Sequence, residues 1–312
     1  MTLSLPQLGE STPARKARPL RLPKRFDPPA DWRDRLADLK ARHGFASILT
    51  PPDANAKLAK GGAAAAITLA PADRSGLEVC PARSPACTRA CVLWMAGNGY
   101  RRSVRDARVA RTLALAEDPQ SFLAGVVDEA ERLARGRDPI RALRLNCASD
   151  LPWERVAGFF DALPDVALFD YTKLHARIGD GGQARGATRP YRLAYSVSER
   201  RGSVAAAADI VRRGGSAVVV VAGARRRQAD GTYRYAPAPR RVRLAGEWFP
   251  AVGGDETDRR DLDPTACVVV LAGKGSLELP TAGGARVGER FAVSVESPDL
   301  DLAARVRRAF AR

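Results

Sequence analysis

Apolar positions along the chain change period several times, and each change marks an element. Residues 31–42 place Trp32, Leu36 and Leu39 at helical spacing and predict a short amphipathic helix. A brief apolar run at 66–71 predicts the first core strand, and a cysteine-bearing loop follows over 78–99. Two helices come next. One covers 103–116. In the other, Asp118 stands as N-cap and Pro119 in the first turn; Phe122, Val126, Ala130 and Leu133 share a face, and Gly136 is the stop. Short apolar runs recur at 143–147, 166–171, 191–197, 217–222 and 267–272, with helical patterns at 152–163 and 203–213 between them. Strands alternating with helices predict an α/β fold on a mainly parallel sheet.

The ends of these apolar runs are polar. The first of the five runs into Asn146, Ser149 and Asp150, and the second into Asp170, Tyr171, Thr172 and Lys173. The third ends in Ser196, Ser198 and Glu199, and the last in Gly273, Lys274 and Gly275. Polar groups gathered at the carboxyl ends of parallel strands are what an α/β barrel active site needs, and an open doubly wound sheet gathers them less completely. The expectation is therefore a full or partial (β/α) barrel. Residues 1–45 form a basic arm and a short helix, and 46–312 a single barrel-like domain. An insertion at 224–264 is rich in Arg, Pro and Gly and carries a protruding hairpin near Asp230-Gly231. It closes on a dense run of charge, Asp255, Glu256, Asp258, Arg259, Arg260, Asp261 and Asp263, a composition typical of solvated loops.

Composition narrows the class. The chain has 312 residues, 45% hydrophobic and 28% charged, which excludes wholesale disorder. No apolar run reaches the length of a membrane-spanning helix. The N-terminus lacks a positive start followed by an apolar stretch, so no signal peptide is expected and the compartment is the reducing cytoplasm. The formal net charge is +16, carried mostly by arginine. Part of that bias is the pattern of a GC-rich genome. The remainder favours polyanions, nucleic acid among them, through the arm (Arg15, Lys16, Arg18, Arg21, Lys24, Arg25) and through Arg225–Arg227 with Arg240, Arg241 and Arg243. The alternative is a solvated cationic surface.

Cysteine placement adds chemistry. Cys80, Cys87 and Cys91 lie within twelve residues, in a loop stiffened by Pro81 and Pro85. In a reducing compartment such a cluster holds zinc or an iron–sulfur cluster. Three thiolates on a [4Fe–4S] cluster leave one iron open, the arrangement of radical S-adenosylmethionine chemistry. Structural zinc, with Cys147, His43 or His175 as fourth ligand, and buried inert thiols are the alternatives. Cys267 sits in an apolar run and reads as core. Trp94 and Tyr100 flank Gly97 and Gly99 after the cysteines and either shield a metal or pack in the core. Asn55, Lys57 and Lys60 before Gly61-Gly62 lack a phosphate-loop signature and read as a linker.

These residues resemble the bacteriophage gene product 88 domain family. The stretches that carry the likeness are SILTPPDANAKLAKG, ITLAPADRSGLEVCPARSPACTRACV, RLNCASDLPWE, FDYTKLHAR, YRLAYSVSE, GGDETDRRDLDP and VVVLAGKG, spread over about residues 47 to 275. The segment CPARSPACTRAC is also similar to the cluster loop of phage-associated radical-SAM-like proteins. Cys80 and Cys87 match with Ser84-Pro85 between them. Three residues precede Cys91 where that family has two, and Val92 stands where it has tyrosine. This second resemblance implies a [4Fe–4S] cluster on Cys80, Cys87 and Cys91, with S-adenosylmethionine as a further ligand.

The candidate site follows from both lines. Asp170, Lys173 and Glu199 are the catalytic candidates, with Lys173 as a base or a carboxylate grip. Asn146, Ser149, Asp150, Tyr171, Ser196 and Lys274 are the candidates for binding substrate or cofactor. The expected function is an iron–sulfur enzyme acting on a nucleotide, nucleic acid or amino-acid derivative. The rival is a non-enzymatic nucleic-acid-binding protein with a structural zinc.

Overall fold

The structure is a computed structural model, and it describes residues 17–54, 56–59, 63–89, 91, 97–221, 224–235 and 237–274. Arg15, Lys16, Asn55, Lys60, Gly61, Gly62, Trp94 and Gly275 of the sequence reading lie outside the described residues.

Thirteen strands are described: β1 (Arg18–Pro19), β2 (Leu49–Thr50), β3 (Ala64–Ile67), β4 (Leu77–Glu78), β5 (Ala142–Arg144), β6 (Ala167–Thr172), β7 (Tyr191–Ser196), β8 (Ser216–Val221), β9 (Arg225–Arg227), β10 (Tyr233–Tyr235), β11 (Arg241–Leu244), β12 (Glu247–Gly253) and β13 (Cys267–Ala272). Nine of them form one sheet in the order β11-β12-β13-β8-β7-β6-β5-β3-β2. From β12 to β3 every neighbouring pair is parallel, and the outer strands β11 and β2 are antiparallel to their neighbours.

The expected mainly parallel α/β sheet is present, but among the described residues it does not close into a barrel. The outer strands explain why. β2 is two residues long, and β11 leaves its other edge unpaired, with Arg241 and Arg243 exposed. Charge on an edge strand discourages further pairing.

Strands β3, β5, β6, β7 and β8 lie side by side in chain order. Right-handed crossovers wound steadily in one direction put their helices on a single face. Leu115, Phe122, Val126, Ile210 and Val211 from helices Arg102–Glu117, Pro119–Ala134 and Ser203–Arg212 therefore join Leu143, Leu168, Leu193, Val219 and Val268 of the strands in one core. Asp118 caps the second of these helices by accepting from the Ser121 N–H at 3.0 Å, with Pro119 in its first turn. Gly125 lets that helix approach closely, since a Cβ there would meet Ile48 Cδ1 at 2.8 Å.

Three expectations change. The helical pattern at 152–163 is a 3-10 turn, Trp153–Arg155, and a short helix, Phe159–Ala162, separated at Gly158 with φ 79°. The described part of the expected arm, from residue 17, is docked, and the expected helix forms after it. β1 pairs with β4, Leu20 is buried, and helix Trp32–His43 places Leu36 and Leu39 in the main core. The charge-dense run at 255–263 is not a solvated loop: Arg259 and Arg260 are 6% and 1% exposed. The hairpin near Asp230-Gly231 forms as expected, from β9 and β10. Among the described residues no helix is long and apolar enough to cross a membrane.

Candidate functional site at the carboxyl edge of the sheet

Parallel strands bring all their carboxyl ends to one edge, and the cysteine loop is tied to that edge. The chain leaves β3, passes through β4 and enters the loop at Val79. The Val79 carbonyl accepts from the Asp150 N–H at 2.8 Å, and the Cys80 thiol donates to the Ala148 carbonyl at 3.3 Å. Both contacts reach the segment after β5. A third tie reaches the end of β7, where Ser84 Oγ donates to Glu199 at 2.7 Å. Glu78 shapes the turn, accepting from the Cys80 N–H at 3.0 Å and from Arg83 at 2.7 Å. Ser84 Oγ also accepts the Cys87 N–H at 3.1 Å, at the start of the short helix Pro85–Arg89.

The sulfur atoms share one electrostatic neighbourhood. Burial pushes the Cys80 thiol well above the usual range, and Asp150, Cys87 and Cys91 push it further. Arg108, buried on helix Arg102–Glu117, has its charge disfavoured by burial and favoured by Cys147 and Cys91. Arg144 is opposed by burial too, and Cys147, Asp258, Tyr171 and Asp170 hold it above the ordinary arginine value. Cys147 thus acts on two arginines that the sequence reading did not single out. Arg108 sits on the buried side of a helix otherwise read for its apolar residues, and no spacing rule marks it.

The expected polar residues do gather at the edge, in two groups. Asp150, Lys173 and Ser196 are linked: Asp150 accepts the Lys173 N–H at 2.9 Å, and Lys173 Nζ donates to Ser196 Oγ at 2.7 Å. The other group is turned into the protein. Asn146 Oδ1 accepts from Ser149 Oγ at 2.7 Å, the Leu151 N–H at 2.9 Å and Trp153 Nε1 at 2.9 Å. Asp170, fully buried, accepts from the Leu145 and Asn146 N–H groups at 2.9 Å and from the Tyr191 hydroxyl at 2.7 Å. Burial raises its carboxyl to about 7, against the pull of Arg144 and the Tyr191 hydrogen bond.

Beneath these groups lies a clamp missed in the sequence. Arg177 makes a two-pronged contact with Glu154, at 2.8 Å on each side, and also binds Asp150. Tyr171 packs under the Arg144 guanidinium, 4.6 Å from its ring centre. Lys274 follows Gly273, whose N–H reaches the Val221 carbonyl at 2.8 Å, so it stands at the same edge at the end of β13. His175 pairs with Asp209 at 2.9 Å on the surface, and His43 with Glu117 at 2.7 Å. Neither histidine is joined to the cysteines by these contacts. Cys267 is buried at the far end of β13, its thiol on the Pro264 carbonyl at 3.1 Å.

Among the described residues no three His, Cys, Asp or Glu side chains converge tightly on one ion. The donor chemistry is nonetheless soft. Cys80 is influenced by the Cys87 and Cys91 thiols, whereas Asp150 and Glu199 are engaged by Arg177 and Ser84. Thiol donors fit a thiolate-bound centre rather than a hard cation such as magnesium or calcium.

These features define the class: an α/β protein whose described residues form an open, mostly parallel sheet, wound in one direction from β3 to β8, with a cysteine loop tied across its carboxyl edge. A family profile described as Gene product 88 matches residues 47–293, most of the chain, and the protein belongs to that family. No curated protein and no solved structure matches it.

Proposed function

We propose that the protein is an iron–sulfur enzyme whose cluster is held by Cys80, Cys87 and Cys91 at the carboxyl edge of the sheet. The observation that carries this reading is the placement of the three cysteines on a loop tied to the ends of β5 and β7. Each thiolate of a multi-iron cluster binds a different iron, so its ligands stand farther apart than those of one ion. A cluster with three protein thiolates supplies one-electron chemistry at an iron open to a small molecule; S-adenosylmethionine is the ligand of this reading. The run of parallel strands from β3 to β8, wound in one direction as in a partial barrel, supports it, because it gathers the strand ends beside the cysteine loop.

The roles of the chain's own residues follow. Lys173, positioned by Ser196 and the Asp150 carboxylate, grips a carboxylate of the bound molecule. Glu199 accepts an amine or ribose hydroxyl when Ser84 yields its hydrogen bond. Asn146, Ser149 and Asp170 hold the chain between β5 and Trp153 in shape. Arg108 and Arg144 bring positive charge into the neighbourhood of Cys147. The substrate class is a nucleotide, nucleic acid or amino-acid derivative.

Protein purified without oxygen tests the reading. About four irons with matching sulfide and a broad band near about 400 nm are expected. Cys80→Ser, Cys87→Ser and Cys91→Ser should each lose the iron, and Cys267→Ser should keep it. One zinc with no visible band, or full iron content in Cys87→Ser, overturns the assignment. The zinc outcome would favour a structural site in a nucleic-acid-binding protein.

A further inference from the structure

We infer that the ribbon of β9 and β10, continued by the edge strand β11, is a stacking platform for single-stranded nucleic acid. The inference is independent of the cluster reading. Among the described residues the ribbon pairs with no other strand, and its register is Tyr233↔Arg227, Arg234↔Arg226 and Tyr235↔Arg225. Residues 228–235 are all exposed. Tyr233 and Tyr235 are 38% and 40% exposed, two of only four large apolar side chains exposed among the described residues. An exposed aromatic pair on a short ribbon adds nothing to its own core, and two-stranded ribbons are marginal in water. The pair is better explained by what it meets.

Three features select the partner. First, strand alternation puts both tyrosines on one face, about 7 Å apart along the strand. That is about twice the 3.4 Å rise of stacked bases, so one base fits between the rings or one on each. Second, residues 224–246 carry seven arginines, no lysine and one acid, Asp230. Asp230 is turned to its own loop. It accepts the Thr232 N–H at 2.8 Å and the Thr232 hydroxyl at 2.6 Å, which holds its carboxyl below the usual range. The turn is thereby shaped, and the acid does not cancel the segment's excess of arginine, a composition that attracts phosphate. Third, the pattern of aromatic beside arginine repeats on the main sheet. Arg241 and Arg243 of β11 are exposed while Val242 and Leu244 are buried, and Arg243 lies 5.8 Å from the ring centre of Trp248 on β12. A membrane surface would need exposed aliphatic groups, and in this segment Val242 and Leu244 are buried. A duplex hides its base faces, which the tyrosines need.

The test is fluorescence anisotropy of a labelled oligothymidylate of about 20 nucleotides, long enough for a typical site, with the full chain at low and physiological salt. Heparin and a duplex serve as competitors. Stacking implies that Tyr233→Ala and Tyr235→Ala each weaken binding about fivefold or more, while Tyr233→Phe retains it. Arg234→Gln should flatten the salt dependence by about 0.7 in logarithmic slope. The wild-type circular-dichroism spectrum in each variant excludes misfolding. Unchanged binding in the double tyrosine variant, displacement by duplex more readily than by single strand, or no binding at low salt overturns the inference. Equal loss of heparin and oligonucleotide binding in Arg234→Gln, with the tyrosine variants normal, marks a bare polyanion surface and overturns it too.

Discussion

The two faces of the same strands are built by opposite means. On one face Leu143, Leu168, Leu193, Val219 and Val268 meet the helices in a continuous apolar core. On the other, Ala64, Ala66, Ala142 and Phe169 form one small cluster and Ala194, Val218, Cys267 and Val269 another. Arg144 and Arg192 stand on the strands of that second face, and the segment 254–263 covers it with charge. Arg260 pairs with Asp263 at 3.3 Å, Arg259 with Asp261 at 2.6 Å, Arg144 with Asp258 at 3.4 Å, and Arg192 reaches the Asp261 carbonyl at 3.2 Å. Gly254 is required at the start of this cover, because a Cβ there would meet Leu271 Cδ2 at 2.8 Å. The apolar face gains from taking apolar surface out of water, which is non-directional and tolerant. The charged face holds only where each ion finds its partner. Arg260 Nε, Arg192 Nε and Ser216 Oγ are buried without a hydrogen-bond partner, so it is the face under tension.

This contrast can be broken or sharpened by mutation. The largest expected effect is at Arg177, which serves two buried carboxylates. Arg177→Ala should cost about 3–5 kcal/mol, because Glu154 and Asp150 are left buried and unpaired; chemical denaturation measures it. On the apolar face, Phe122→Ala should cost a similar amount, about 3–5 kcal/mol, through a cavity. Arg260→Met separates the two faces. Replacing a buried ion by an apolar group is often neutral or stabilising, so a loss within about 1 kcal/mol is expected if Asp263 takes up a proton. A loss as large as that of Phe122→Ala would show that the charged cover is as cooperative as the core.

A pH effect comes next. Asp170 is raised to about 7 and Asp263 to about 6, each chiefly by burial. A carboxyl with a raised folded value binds its proton more tightly in the folded state. Its stabilising contribution is full below about pH 4 and is lost as the pH rises through about 7 for Asp170 and about 6 for Asp263. Asp170→Asn should therefore flatten the fall in stability between about pH 4 and 7, read from melting temperatures across that range. The smallest effect is at the helix end, where Asp118→Ala should cost about 1 kcal/mol by removing the cap on Ser121.

Much of the helix-bearing face is legible from periodicity. Phe122, Val126 and Ala130 repeat at helical spacing, and the runs at 143, 166, 191, 217 and 267 all begin within a residue of a described strand. The carboxyl-edge residues are legible for the same reason, since parallel strands must end together. Which of them turn inward is not legible. Asn146 and Asp170 look like Lys173 and Glu199 in the sequence, yet the first two are bound within the protein. The charged run at 255–263 misleads because composition measures affinity for water, whereas burial depends on whether counter-charges are waiting. Arg144 and Arg192 wait on strands more than fifty residues earlier.

The sequence by itself determined the α/β class, the parallel order of alternating elements, the cysteine triad and the exposed Arg-rich hairpin. Each of these depends on local period or spacing. Only the tertiary structure decided that the sheet stays open among the described residues, that Arg177 clamps Glu154 and Asp150, and that a charged segment covers the second face. Those outcomes depend on pairs far apart in the chain, such as Arg144 with Asp258, which no local pattern encodes.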